Sequence, residues 1–141
     1  MLDDLRDLAA DKVSFPTMVR MRDEYRVQLT LAEATATLDA ARLYHDHVLT
    51  ELWDALNAGG EPSHEQRAAL AFMATHVAQR THEVAEAVCD AVGAQAIYRT
   101  SPFERRRRDL ATIAAHVFGQ RKTAAGATVL LFGDDPPVSV V

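Results

Sequence analysis

The sequence has few cysteine, glycine, proline and aromatic residues, and it lacks long apolar runs. Cysteine occurs once, at Cys89, so an internal disulfide is excluded and a reducing compartment is favoured. Glycine and proline number 6 and 5 in 141 residues, and aromatic residues make up 6%. No apolar run approaches the length of a membrane span, and the charged start "MLDDLRDLAADK" lacks a signal-peptide core. These absences predict a soluble cytoplasmic protein that does not enter the membrane.

The charge balance is also informative. The formal net charge is −5, although four consecutive arginines occupy positions 105–108. Nucleic-acid binding needs a clustered excess of cations to neutralise phosphates, which an acidic chain does not supply. We therefore expect no nucleic-acid partner.

The alanine-rich composition and the three- to four-residue spacing of apolar residues predict an all-α fold. We expect a short helix over about 2–12, long helices over about 22–57 and 63–92, and a fourth helix from Ser101 to about Phe118, ended by Gly119. Ser63 with Gln66 and Ser101 with Glu104 have the spacing of capping boxes. The predicted architecture is an up-and-down bundle of three long helices plus the short one, a single domain over 1–133 with an extended or disordered tail over 134–141.

The fourth helix carries the candidate chemistry. Arg105, Asp109, Thr112 and His116 are spaced by four, three and four residues, so a continuous helix places them on one face. That face is either solvated surface or one wall of a small-molecule cleft. Four successive arginines must point in four directions, with Arg106 and Arg107 reaching over neighbouring helices. If the Arg105–Asp109 pair is buried, Asp109→Ala should cost about 1–3 kcal/mol.

The stretch "VGAQAIYRTSPFERRRRDLATIAAHVFGQ", residues 92–120, resembles the C-terminal helical domain of the acyl-CoA dehydrogenase superfamily. It is most similar to the flavin-dependent monooxygenase branch, which has a Gly-Ala loop, then Ser-Pro-hydrophobic-Glu-Arg-x-x-Arg-Asp, then a histidine. "LAEATATLDAARLYHDHVLTELWDAL" and "GATVLLFG" resemble flanking parts of the same domain. The Glu-Gly-Thr motif of the dehydrogenase branch is missing, which argues against proton abstraction from an acyl-CoA.

The resemblance implies roles for individual residues. His116 would be the catalytic residue beside a flavin ring, since a histidine exchanges protons near neutral pH. Gly93 and Ala94, with Arg105 and Arg108, would bind the cofactor, and Asp109 would support an arginine. The superfamily's first two domains do not match any part of the 141 residues. FAD or FMN is therefore expected only with a partner chain or with those domains, and we expect no metal.

Three functional hypotheses remain open from the sequence. The chain is a component that completes a flavin and substrate cleft of an oxidoreductase, either as a fragment or as a subunit of a split enzyme. Alternatively it is a non-catalytic oligomerisation module, or a flavin-free enzyme or small-ligand binder that reuses the cleft. Because the predicted helices carry more apolar surface than a small bundle buries, we expect a homo-oligomer.

Overall fold

Helices dominate the computed structural model, which describes residues 1–136. The α-helices are α1 (Leu2–Asp11), α2 (Tyr25–Asn57), α3 (His64–Val92), α4 (Pro102–Ala115) and α5 (Arg121–Ala127). Short 3-10 helices cover Met21–Asp23, Gly93–Ile97, Val117–Gly119 and Thr128–Phe132. This confirms the predicted all-α class and the first four helices. The expected tail lies without regular structure over 134–136, and its remaining residues, 137–141, lie outside the described part of the chain.

The first of two units contains Met1–Asp39 and Thr81–Ala111. Its core is built from α1, the start of α2, the end of α3 and the start of α4. The fully buried side chains include Leu5, Met21, Val27 and Val88. The beginning of α2 lies beside the end of α3, because Arg26 donates hydrogen bonds to the carbonyl oxygens of Asp90 and Ala91 at 2.7 and 3.2 Å. The two long helices are therefore antiparallel in this unit.

The second unit contains Ala40–Arg80 and the described residues from Thr112 onward. A small core joins α3 to the last helices through Ala68, Ala71, Ala127 and Leu130. At the start of α3 the predicted capping box is confirmed. Ser63 N–H donates to Gln66 Oε1 at 2.9 Å, and Gln66 N–H donates to Ser63 Oγ at 3.2 Å.

Two local features differ from the sequence prediction. Helix α4 ends at Ala115, three residues before the predicted end. The sequence analysis did not predict helix α5, which is followed by the 3-10 helix Thr128–Phe132. None of the helices in the described part of the chain is both long and apolar enough to cross a membrane.

Candidate functional site

Helix α4 begins at a serine cap, as its sequence predicts. Ser101 Oγ accepts the Phe103 N–H at 3.3 Å, and Pro102 occupies the first helical position, where no N–H is needed. The second half of the predicted capping box is wrong. The Ser101 N–H donates to the Tyr98 carbonyl at 2.8 Å instead of Glu104, and Glu104 Oε1 lies 3.5 Å from Arg108.

The four arginines of the run pair with four different acids, as expected for consecutive helical side chains that point in different directions. Arg106 pairs with Asp4 of α1, and Arg107 Nε lies 3.3 Å from Glu86 Oε1 of α3. These two side chains reach neighbouring helices, as predicted. The other two, Arg105 and Arg108, have acidic partners within α4.

The Arg105–Asp109 pair is loose and open to solvent. Arg105 Nε and Asp109 Oδ2 are 3.8 Å apart, and their side chains are 77% and 60% exposed. An exposed pair at this distance contributes little to stability, because water screens it. The condition attached to the predicted cost of Asp109→Ala, burial of the pair, is not met.

An open cleft of about 590 Å³ lies at the start of α4. Its lining is Arg99, Thr100, Ser101, Pro102, Arg105, Arg106 and Asp109. With three guanidinium groups and one carboxylate, this lining favours an anion. Of the residues predicted to bind a cofactor, Arg105 lines this cleft.

Gly93 and Ala94 follow the end of α3 and are exposed. Gly93 has a φ of +75°, the left-handed conformation that commonly ends a helix and that glycine adopts without strain. The Val92 carbonyl just before it accepts a hydrogen bond from Lys12 Nζ at 3.1 Å. A Cβ built on Gly93 would meet no atom within 4 Å. The main chain here is therefore open to a ligand, and the glycine is required by its backbone conformation.

His116 lies outside the helix that was expected to carry it. Its ψ of 151° is extended, and its N–H points back to the carbonyl oxygens of Thr112 and Ile113, both at 3.1 Å. Because ψ turns only the chain after Cα, whereas the φ of −64° and the bond to Thr112 are helical, the shared face of Arg105, Asp109, Thr112 and His116 stays a prediction. The His116 side chain is exposed, and its ring centroid lies 5.6 Å from that of Phe118.

Two polar residues of α3 hold the turn that follows His116. The buried Thr75 hydroxyl lies 3.2 Å from the Phe118 carbonyl oxygen and 3.3 Å from that of Gln120. Gln79 Nε2 donates to the carbonyl oxygens of Gly119 and Ala114 at 2.8 and 3.3 Å. Both side chains therefore bind main chain, so the turn's side chains remain available to solvent or ligand.

Sequence reasoning did not identify Thr75 and Gln79. They lie four residues apart, so they share one face of α3. The available signal was a pair of side chains with hydrogen-bond donors, one helical turn apart in a stretch that is otherwise rich in alanine. This signal is weak, because threonine and glutamine are common on solvated helix surfaces.

Gly119 packs against the last turn of α4. A Cβ on this residue would lie 2.4 Å from the Ile113 carbonyl oxygen and 3.1 Å from Ala114 Cα. Since the clashing atoms belong to helix backbone, they cannot rotate away. Glycine is therefore needed here for close approach.

Cys89 is a buried thiol with its Sγ 3.8 Å from the Phe103 carbonyl oxygen. Burial raises the pKa of this thiol, although the nearby Arg107 opposes the shift. Because the thiolate is the reactive form, the environment disfavours nucleophilic chemistry. Among the described residues no three His, Cys, Asp or Glu side chains are grouped so that they could hold a metal ion.

Comparison with known proteins settles the family. A family model described as the acyl-CoA dehydrogenase C-terminal domain matches residues 1–121. This chain belongs to that family. The match extends across the segment from Gly93 to His116, so the candidate residues lie within the family's domain.

Two indole-3-acetate monooxygenases, from Pseudomonas putida and Acinetobacter baumannii, are similar to the chain. Each is 27% identical over 135 residues, which are 96% of this chain and 35% of the relative. The chain therefore spans about a third of the length of these relatives. It corresponds to the acyl-CoA dehydrogenase C-terminal domain and leaves most of each relative unmatched.

Proposed function

We propose that this chain is the C-terminal-domain component of a flavin-dependent monooxygenase and that His116 serves the reaction. The observation that supports this role most strongly is the exposed His116 imidazole on a turn whose main chain is bound by Thr75 and Gln79. A histidine on a fixed backbone can accept or donate a proton at a defined place. The family match and the two monooxygenase relatives supply the reaction class.

The residues present are compatible with a flavin. Gly93 and Ala94 offer exposed main chain, which can approach a phosphate closely, and Arg105 and Arg108 have side chains more than half exposed. We propose that these four residues contact the cofactor's phosphates. When bound, the flavin would supply the redox chemistry and the activation of dioxygen.

In our proposal, the rest of the flavin and substrate cleft is supplied by a partner chain or by further domains. The relatives of this chain are about three times longer, so a partner chain or further domains would hold most of the flavin. The isolated chain should bind flavin weakly. An aromatic acid is the first substrate class to test, because the two relatives are named for indole-3-acetate.

A chimeric enzyme tests the proposal directly. The chain would replace the matching third of the Pseudomonas putida relative, and flavin absorbance and indole-3-acetate-dependent oxygen consumption would be measured. We expect His116→Asn to keep the flavin and lose most turnover. His47→Asn, an exposed histidine on α2, is the matched control and should keep both. Turnover in His116→Asn equal to that of the unmodified chimera would refute the catalytic role.

A second function, assembly, is favoured by exposed apolar side chains on α2. Leu49, Trp53 and Leu56 recur at four- and three-residue steps on one face of α2 and are 40%, 67% and 54% exposed. Exposed groups of this size are typical of association surfaces, and we propose that the chain forms a homo-oligomer. Light scattering that gives a monomer mass at micromolar concentration would contradict this.

A further inference from the structure

The turn after His116 leaves no carbonyl oxygen without a donor. Each of the seven residues 114–120 has a carbonyl oxygen that accepts a hydrogen bond from within the second unit. Buried carbonyls must be paired, and a sharp change from helix to extended chain normally leaves several unpaired. This complete pairing fixes the backbone on both sides of His116.

The donors divide into local groups and two groups from α3. The Gly119 N–H donates to the His116 carbonyl at 2.8 Å, Gln120 Nε2 to that of Ala115 at 2.6 Å, and Thr123 Oγ1 to that of Val117. These bonds close the turn on itself. The two N–H groups of the Gln79 amide donate to two carbonyls, and the single Thr75 hydroxyl proton is shared between two more, which connects the turn to α3.

We infer that Thr75 and Gln79 are positioning residues that set the location and ring orientation of His116. The inference rests on the proposed role of His116 in the reaction. Gln79 binds the carbonyl of Ala114, two residues before His116, and that of Gly119, three residues after it. Thr75 binds Phe118, whose ring lies against the imidazole. Loss of either side chain therefore removes one of the two links that fix the position of this turn on α3.

Nuclear magnetic resonance of the chain labelled at histidine and phenylalanine tests this without any cofactor. The His116 ring signals are identified by their loss in His116→Asn, and the readout is the nuclear Overhauser effect between the His116 and Phe118 rings. We expect Thr75→Val and Gln79→Met to lose most of this effect. Thr75→Ser keeps the hydroxyl and should retain it.

Two matched controls separate positioning from stability. Thr35 donates its hydroxyl to the Leu31 carbonyl within α2, and Gln28 donates its amide to the Arg22 carbonyl, both in the first unit. Thr35→Val and Gln28→Met should keep the ring–ring effect even where they lower the melting temperature. A folded Thr75→Val or Gln79→Met variant with the ring–ring effect of the unmodified chain would overturn the inference.

Two further measurements cover the other outcomes. If neither variant folds, hydrogen exchange of the Gly119 amide in the unmodified chain tests the inference. Exchange at the rate of an unprotected peptide would show that the turn is not held and would overturn the inference. In the chimeric enzyme, Thr75→Val should lower turnover relative to Thr35→Val with flavin absorbance unchanged. Full turnover in His116→Asn would refute the catalytic proposal alone, whereas an unchanged ring–ring effect in a folded Thr75→Val or Gln79→Met variant would refute the positioning role alone.

Discussion

The arginine run and the His116 turn use polar groups in opposite ways. In the run, Arg105 and Arg108 form exposed charge pairs at 3.8 and 3.5 Å within their own helix. In the turn, the uncharged Thr75 and Gln79 side chains bind main-chain carbonyls. Water and salt screen exposed charges, so the attraction within an exposed ion pair is weak. A polar group that is buried without a hydrogen-bond partner, by contrast, destabilises the fold. We therefore expect the His116 turn to contribute more to the stability of the fold than the charge pairs of the arginine run.

The largest effect is expected from Gly119→Ala, which places a methyl group against the backbone of α4. Overpacking of this kind costs about 1–3 kcal/mol or more. Urea unfolding would measure the loss. Gly126→Ala is the control, because its added Cβ meets no atom within 4 Å and alanine favours helix by up to about 1 kcal/mol. A Gly119→Ala variant as stable as Gly126→Ala would contradict the close packing of the turn.

A smaller effect is expected from Asp4→Asn in the first unit. The Asp4 carboxylate accepts a hydrogen bond from the N-terminal ammonium at 2.8 Å and pairs with Arg106, and its side chain is 32% exposed. We expect a loss of about 1 kcal/mol or less at neutral pH. The melting temperature of Asp4→Asn would be compared with that of Asp7→Asn, which removes an exposed acid from the same helix. The difference between the two variants measures the contribution of the interactions of Asp4.

The same pair predicts a pH dependence. The N-terminal ammonium, and then Arg106, hold the pKa of Asp4 below its ordinary value of 3.8, although desolvation opposes them. Since the folded pKa is the lower one, the stabilisation is complete above about pH 4 and is lost as pH falls through the folded pKa. Asp4→Asn should therefore lose less stability on acidification than Asp7→Asn. Equal losses in the two variants would remove Asp4 as the cause.

The smallest effect is expected from Asp109→Ala. Its pair with Arg105 is exposed on both sides, so the loss should be below about 0.5 kcal/mol. A double-mutant cycle with Arg105→Ala measures the coupling directly. A coupling as large as the cost of Gly119→Ala would reverse the contrast between the run and the turn.

The sequence predicts the helices where the pattern is local. Ser63 with Gln66 and Ser101 with Pro102 mark helix starts through contacts between near neighbours, and both starts are confirmed. The end of α4 was mispredicted because Val117 and Phe118 continue the apolar pattern past Ala115. The turn that follows α4 is bound by the side chains of Thr75 and Gln79, which lie about forty residues earlier in the chain.

The candidate site was predictable only in part. Gly93, Ala94, Arg105, Arg108 and His116 were identified through resemblance to the family, and their binding and catalytic roles remain predictions. Asp109 was expected to anchor an arginine, yet the structure exposes that pair because Asp109 faces an open cleft at the start of α4. The residues that hold His116 could not be deduced, since their partners are carbonyl oxygens whose positions no side-chain pattern encodes.

The exposure of Trp53 provides an optical probe of assembly. It is the sole tryptophan of the 141 residues and is 67% exposed on α2. An indole in contact with water emits at longer wavelength than one packed against apolar groups. Unlabelled protein should therefore shift its emission to shorter wavelength as concentration rises if this part of α2 becomes covered, and the midpoint of that shift would give the affinity of association.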